Sequence, residues 1–147
     1  MPKLTIPNLN NRFIVRIDGF EEYNFQSVSE ITDSSEVGTI KEIDHPFSVR
    51  RIPGYRTLSS VTLSRAMTMD LDLITWRKEA AEVIGFSDIK RNVTITVQNS
   101  SGDTIRVITL YSAWPSKLVL GGLSGAEGTI LIDTLELHFD SMSVHTQ

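Results

Sequence analysis

Near the C-terminus the chain carries one long alternating segment, Gly128-Thr129-Ile130-Leu131-Ile132-Asp133-Thr134-Leu135-Glu136-Leu137-His138-Phe139. Successive side chains of a strand point to opposite faces, so Leu131, Leu135, Leu137 and Phe139 share one face, with Asp133 the exception. Ile130, Ile132, Thr134, Glu136 and His138 share the other. A strand with one apolar face needs a sheet beneath it, and a mixed second face points to a partner rather than bulk water. At 147 residues the chain is long enough for one real core and short for two, so one domain over residues 1–147 is expected.

The rest of the sequence supplies partners for that strand. Phe13 to Asp18 alternates with Phe13, Val15 and Ile17 on the core side, and Phe25 to Ile31 reads as a second, weaker strand. Val61 and Leu63 face the core in a strand from Leu58 to Arg65. Val93, Ile95 and Val97 alternate against Thr94, Thr96 and Gln98, and Asn99-Ser100-Ser101-Gly102-Asp103 is turn chemistry leading into Thr104 to Tyr111. One segment reads as a helix, about Asp70 to Ile84: Leu73, Trp76, Ala80 and Val83 recur at helical spacing. Thr68 or Asp70 can cap it and Gly85 can stop it. Leu118 to Gly128, with four glycines, reads as a loop.

Thr32 to Ser64 is the unusual stretch. Its apolar residues Val37, Ile40, Ile43, Phe47, Val49 and Ile52 are spaced among Glu36, Lys41, Glu42, Asp44, His45, Arg50 and Arg51. Pro46, Pro53 and Gly54 make a helix improbable and favour extended arms joined by a turn. A structureless loop of that length is uncommon inside a compact domain, so a long hairpin is expected. Its backbone edges must then be paired, covered or charged.

Catalytic and ligand-binding classes find little support. With no cysteine there is neither disulfide, thiolate metal site nor thiol nucleophile. His45, His138 and His145 are scattered without ligand spacing, and His145 falls in a tail read as frayed, so no metal site is assigned. No serine sits in a nucleophile elbow, and Gly121-Gly122-Leu123-Ser124-Gly125 lacks the Lys-Ser/Thr ending of a phosphate loop. Asp70 and Asp72 are explained by helix-start chemistry, while Asp133 and Glu136 fall on opposite strand faces. Trp76 and Trp114 read as core anchors. A formal net charge of -4 argues against a duplex-DNA binder. Met1 to Pro7 lacks the apolar core of a signal peptide, and nowhere do about 18 apolar residues run together. Catalytic residues and cofactors are therefore expected to be none, and a soluble product is expected.

Several short blocks, in order, resemble the tail tube proteins of contractile phage tails and phage-tail-like contractile injection systems. They are Asn11-Arg12-Phe13-Ile14-Val15-Arg16-Ile17, Phe25-Gln26-Ser27-Val28-Ser29, the Arg51-Ile52-Pro53-Gly54 turn, Asp70 to Trp76, Lys90-Arg91-Asn92-Val93-Thr94-Ile95, Ala113-Trp114-Pro115-Ser116-Lys117, and Ile132 to Leu137. The resemblance covers nearly the whole chain. It departs at Glu30, where the family carries glycine, and in the charge pattern between Thr39 and Arg51.

The resemblance implies a mainly β fold: a small β-barrel or sandwich with one flanking helix and a long hairpin. It implies hexameric rings stacked into a hollow tube inside a contractile sheath, joined at its ends to spike, baseplate and tail-end proteins. Such a tube is assembled in the bacterial cytoplasm, is released within a phage tail or injection particle, and passes cargo or DNA transiently. Val37, Ile40, Ile43, Phe47, Val49 and Ile52 are then the expected inter-subunit residues. Thr39, Lys41, Glu42, Asp44, Ser48, Arg50, Thr62 and Ser64 are the expected lining of the channel, since barrel residues alternate between lumen and exterior. An initiator ring joining tube to spike is an alternative within the same class. A monomeric β-barrel that binds a ligand or glycan is the alternative outside it, and an enzyme is more distant.

Overall fold

β-Branched residues at alternate positions build the centre of the molecule. In the computed structural model, which describes residues 11–41, 48–82, 89–121, 125 and 131–146, β1 (Arg12–Ile17) pairs antiparallel with β7 (Arg91–Gln98). β7 pairs in turn with β8 (Thr104–Val119). The register sets Val15, Ile95 and Ile108 in one row and Ile17, Val93 and Leu110 in the next. Across from them β6 (Val61–Ala66) pairs with β9 (Ile132–His138), placing Val61 opposite Leu137 and Leu63 opposite Leu135. These two apolar faces meet in one core.

β2 (Glu22–Phe25), β3 (Ser27–Val28) and β10 (Ser141–His145) complete the sheet, whose order is β2-β1-β7-β8-β9-β6-β3, with β10 on β8. β8 belongs to both halves. It pairs with β7 and β10 up to Ala113 and with β9 from Trp114 to Val119. Between them Ser112 has φ 56, a left-handed conformation uncommon for a non-glycine residue, and its amide donates to Asn92 Oδ1 at 3.2 Å. That bend folds one strand around the corner of the sandwich. The strand path ends at β2 and β3 with no ladder between those ends, so the barrel alternative does not hold: the sheet is a sandwich whose seam is closed by side chains.

The seam is closed by Arg65, buried on β6. Its guanidinium lies 5.1 Å from the Tyr23 ring centre and 5.7 Å from that of Phe25, and it grips Asp70 through both terminal nitrogens at 3.2 and 3.0 Å. Burial opposes ionisation of Asp70, but hydrogen bonds from Arg65 and Thr68 hold its carboxyl below the ordinary range. Tyr23 donates to Asp72 at 2.6 Å, and burial followed by that bond drives its phenol pKa well up.

The helix, α1 (Asp72–Glu82), starts two residues later than the periodicity predicts, and the Asp70 carboxylate stands before it, engaged with Arg65 and accepting from the Asp72 amide. Leu73 and Trp76 are buried, Ala80 is half-buried, and Val83, Ile84 and Gly85 lie outside the described residues. Trp76 packs edge-on against Phe20 and donates Nε1–H to the Ile89 carbonyl at 2.7 Å.

Four further expectations are corrected. Phe25 to Ile31 is not one strand: Tyr23 and Phe25 are buried in β2, then the phase slips at Gln26, whose amide donates to Ser64 O, and β3 joins β6 instead. Leu58 ends the preceding strand rather than opening β6. Leu118 and Val119 are strand, not loop. His145 lies in β10 opposite Val107, not in a frayed tail.

Candidate assembly interface

β4 (Asp33–Lys41) and β5 (Val49–Leu58) form the expected hairpin, a two-stranded sheet separate from the rest. Ser59, whose amide donates to Thr32 O at 2.9 Å and whose hydroxyl accepts from the Thr32 amide at 2.8 Å, fixes its root. Beyond the root, its large apolar side chains are exposed: Val37 by 66%, Val49 by 58% and Tyr55 by 82%. Ile40 and Ile52 are exposed as well. Ile43 and Phe47, with Glu42 and Asp44, lie outside the described residues.

Pro53-Gly54 does not form a turn. Val37 pairs with Pro53 and Ser35 with Arg56, so two residues of β5, Gly54 and Tyr55, oppose the single Glu36 of β4. This is a β-bulge, and glycine fits it because a Cβ on Gly54 would come within 3.1 Å of Glu36 O. Proline is tolerated in β5 because both strands of a two-stranded sheet are edges. At the root, Arg56 donates to Asp33 from Nε and Nη2, at 2.8 and 2.6 Å, and those bonds lower the Asp33 pKa.

The register also divides the predicted residue sets. Directly opposed residues share a face, so Thr39 with Arg51, and Lys41 with Val49, lie on the face that also carries Val37. Ile40 with Arg50, and Gly38 with Ile52, lie on the other. Neither face is purely polar, so Thr39, Lys41 and Arg50 cannot all face one compartment through a flat hairpin. Ser48 precedes β5 and is exposed.

Thr62 and Ser64 lie elsewhere, on the outward face of β6, and belong to a different surface. Opposite them on β9 stand Glu136 and Thr134, and Glu136 faces Lys117 of β8. Ser60 Oγ donates to Glu136 Oε1 at 2.9 Å, Ser64 and Thr134 hydroxyls lie 3.3 Å apart, and the Ser29 hydroxyl accepts from the Thr62 amide. Trp114, read from sequence as a core anchor, points outward onto this surface, since its neighbours Ala113 and Pro115 are the buried ones. It stacks on His138 with ring centres 5.5 Å apart. The four strands β3-β6-β9-β8 thus present a hydroxyl-rich, nearly neutral face. Single-residue reasoning missed Glu136, His138, Lys117 and Trp114 as members. The signal was available in the mixed second face of the long C-terminal strand.

Both borders of this four-stranded face have a ladder on one side only. Among the described residues β3 pairs with β6 alone, and β8 beyond Ala113 pairs with β9 alone. Among the described residues no three His, Cys, Asp or Glu side chains gather as a metal site, and no helix is long and apolar enough to cross a membrane.

Tube and cap proteins from contractile injection systems are among the solved structures that share this fold. The tube-terminating cap of the anti-feeding prophage superposes with a TM-score of 0.78 at 20% identity, covering 99% of this chain and 95% of that one. A chain of the extended sheath-tube complex of the extracellular contractile injection system PVC gives 0.76 at 20% identity, over 92% of this chain and 89% of that one. Hcp1 from Flavobacterium johnsoniae gives 0.60 at 12% identity, over 90% and 94%. At these identities the likeness is one of fold, and no curated protein sequence matches the chain. The profile of the T4-like virus tail tube protein gp19 family matches residues 9–143, so the chain belongs to that tail tube family.

Proposed function

We propose that this protein is the structural subunit of the inner tube of a contractile injection system or phage tail, with six copies per ring and rings stacked into a hollow tube. The observation that carries this reading is the exposed β4–β5 hairpin. Strands of 9 and 10 residues with valines, isoleucines and a tyrosine in water have no reason to persist in a monomer. Family membership and the fold of the sheath-tube neighbours support the same reading.

In this arrangement the open borders at β3 and at Trp114 to Val119 join between neighbours, as edge strands must be paired or covered. The face bearing Thr62, Ser64, Thr134, Glu136 and His138 then lines the bore. Four strands from each of six copies, at about 4.8 Å spacing, give a lining roughly 37 Å across before strand tilt widens it. Hydroxyls, with Glu136 set against Lys117, make a wet wall that holds neither sign of cargo tightly. The hairpin residues Val37, Ile40, Val49 and Ile52 enter contacts between copies instead. Sheath subunits surround the tube, spike or baseplate proteins meet its ends, and cargo or DNA occupies the bore only in passage. Assembly takes place in the bacterial cytoplasm.

Negative-stain microscopy of the purified protein tests this directly: rings or tubes are expected. A species that stays monomeric at moderate concentration and binds a small ligand would overturn the reading in favour of a binding module. For the bore, single cysteines at Thr62 and Ser64 of this cysteine-free chain should resist a large maleimide in end-sealed tubes, while one at Lys78 on the exposed helix face should react unless sheath-side packing covers it. Equal labelling at all three positions would remove the bore assignment.

A further inference from the structure

The sandwich is plugged at one end and open at the other. Trp76 fills the end where β1 runs out toward Phe20 and β7 begins after Ile89. At the opposite end, where β1 and β8 begin and β7 and β10 finish, lies an apolar groove of about 480 Å³. Phe13, Ile31, Val97, Ile105 and Val144 line it. Ile105 and Val144 stay exposed by 44% and 51%. Among the described residues two charged side chains line the groove, Glu30 just past β3 and Arg106 on β8. Neither forms an ion pair with another described residue.

One rim of this groove is a stiff projection. Gln98 pairs with Thr104 and Val97 with Arg106, so Ile105 is an extra residue bulged out of the β7–β8 ladder. The turn above it is held by Asn99, whose Oδ1 accepts from the Ser101 and Asp103 amides at 3.0 Å each. We propose that two copies clasp each other through this end about a twofold axis. The Ile105 rim of each copy enters the groove of the other, and Arg106 of each meets Glu30 of the other. The clasp uses neither β4 nor β5 and does not depend on the tube reading: it gives the free subunit a dimeric state of its own.

Charge selects a second copy as the occupant. The groove carries one acid and one base, set on different strands. An apolar ligand with a single charged head would match one of them and leave the other unanswered. A twofold operation answers both at once: it sets each Arg106 over a Glu30, and no charge remains over. The apolar part is self-complementary in the same sense. Each copy offers a projecting Ile105 and a recess beside Phe13 and Ile31, so rim and recess are exchanged reciprocally. Its own rim cannot fill the recess, because Ile105 is fixed in the groove wall by the ladder pairs on either side of it. A contact of this isologous kind is satisfied by two copies and does not propagate.

Sedimentation velocity over a dilution series of the full chain tests the clasp. The wild-type protein should show a dimer as its principal species at the dilute end, in reversible exchange with monomer. Only monomers, or only hexamers and larger species, would overturn the proposal. Arg106→Glu and Glu30→Arg, each alone, set like charges against each other at both contacts and should raise the dimer dissociation constant at least about tenfold. Mixing the two variants in equal amounts should restore dimers, because one groove is then wholly acidic and its partner wholly basic. That recovery also shows that both variants are folded. Dimers that persist undiminished in either single variant, or a mixture that stays monomeric, would overturn the Glu30–Arg106 pairing and the clasp with it. Rings and tubes are read separately by microscopy, so failure of the clasp leaves the tube reading standing, and absence of rings leaves the clasp standing.

Discussion

The core strands and the hairpin are built from the same residues and meet opposite fates. Val15, Ile17, Val61, Val93 and Ile95 have no exposed surface at all, while Val37, Ile40, Val49 and Ile52 are open to solvent. Both sets are β-branched, and both sit in antiparallel ladders. The difference lies in what covers them. Each core strand has a second sheet or α1 against its apolar face, whereas β4 and β5 have only each other. Burial of an aliphatic side chain is worth about 1.5–3 kcal/mol, and the hairpin forgoes that in the single subunit. If the hairpin is the part that assembles, as proposed above, folding and assembly draw on separate parts of one chain, and perturbations should separate them.

The largest effect comes from removing the hairpin beyond its root. Deleting Ile40 to Ile52 joins Thr39 to Pro53 next to the Val37–Pro53 pair. We expect a folded subunit with an unchanged near-ultraviolet spectrum and complete loss of rings under the microscope. Rings from the deletion variant, or loss of its fold, would mean that the two regions are not independent.

The next effect inverts the first. Trp76 is fully buried, touches Phe20 and gives its indole N–H to the Ile89 carbonyl. Trp76→Ala in the deletion background should cost about 3–5 kcal/mol in thermal or denaturant unfolding. Tyr55→Ala in the full-length subunit should change stability by less than about 0.5 kcal/mol, as is usual for an exposed site. Comparable losses from the two would dissolve the contrast.

How much of this was legible in the sequence follows the same division. Period-two alternation located β1, β6, β7 and β9 and their buried residues, because a half-buried strand writes its environment into every second position. Length and proline placement gave the hairpin as an object, but not its faces. The bulge at Gly54–Tyr55 leaves no mark beyond a Pro-Gly pair that reads equally well as a turn, and register comes from cross-strand pairing that no local pattern contains. Ser112 shows the same limit: nothing in Tyr111-Ser112-Ala113 announces a left-handed bend, so the alternation predicts only Thr104 to Tyr111 and ends where β8 turns the corner. The outward face with Thr62 and Ser64 was half visible, since only two of its members were picked out. The groove lined by Ile105 and Val144 was invisible, because it is made by side chains from β1, β8 and β10 that only the fold brings together.

A smaller effect probes the seam of the sandwich. Removing the charge of one partner of a largely buried pair leaves the other uncompensated, so Asp70→Asn should destabilise the subunit by about 2 kcal/mol, below the usual range for fully buried pairs because Asp70 is partly exposed. The native pKa of Asp70 is lowered, so its contribution is present above the ordinary carboxylate value near 4 and is lost as pH falls through the lowered native value. The wild-type subunit should lose stability more steeply than Asp70→Asn as pH falls below the ordinary carboxylate value of about 4. Parallel pH profiles for the two proteins would show that Arg65 does not depend on Asp70.

The smallest effect belongs to the root of the hairpin and is the finest test of the separation. Asp33 is held by Nε and Nη2 of Arg56, and those hydrogen bonds lower its pKa. The sign matches that of Asp70: the pairing is intact above the ordinary carboxylate range and weakens as pH falls through the lowered value. Its setting differs, because both side chains stand in solvent, where water screens the pair and competes for every bond. Asp33→Asn should therefore leave the unfolding midpoint of the subunit where it was. Its effect should be confined to local opening, read by amide hydrogen exchange: Ser34 to Lys41 and Val49 to Thr57 should exchange faster, with protection of β1, β6 and β7 unchanged. Lowering the pH of the wild-type protein should reproduce the change in the hairpin once intrinsic exchange rates are divided out. Faster exchange in the core strands of Asp33→Asn would show that the ion pair reports on the whole subunit, and the line between the part that folds and the part that assembles would have to be redrawn.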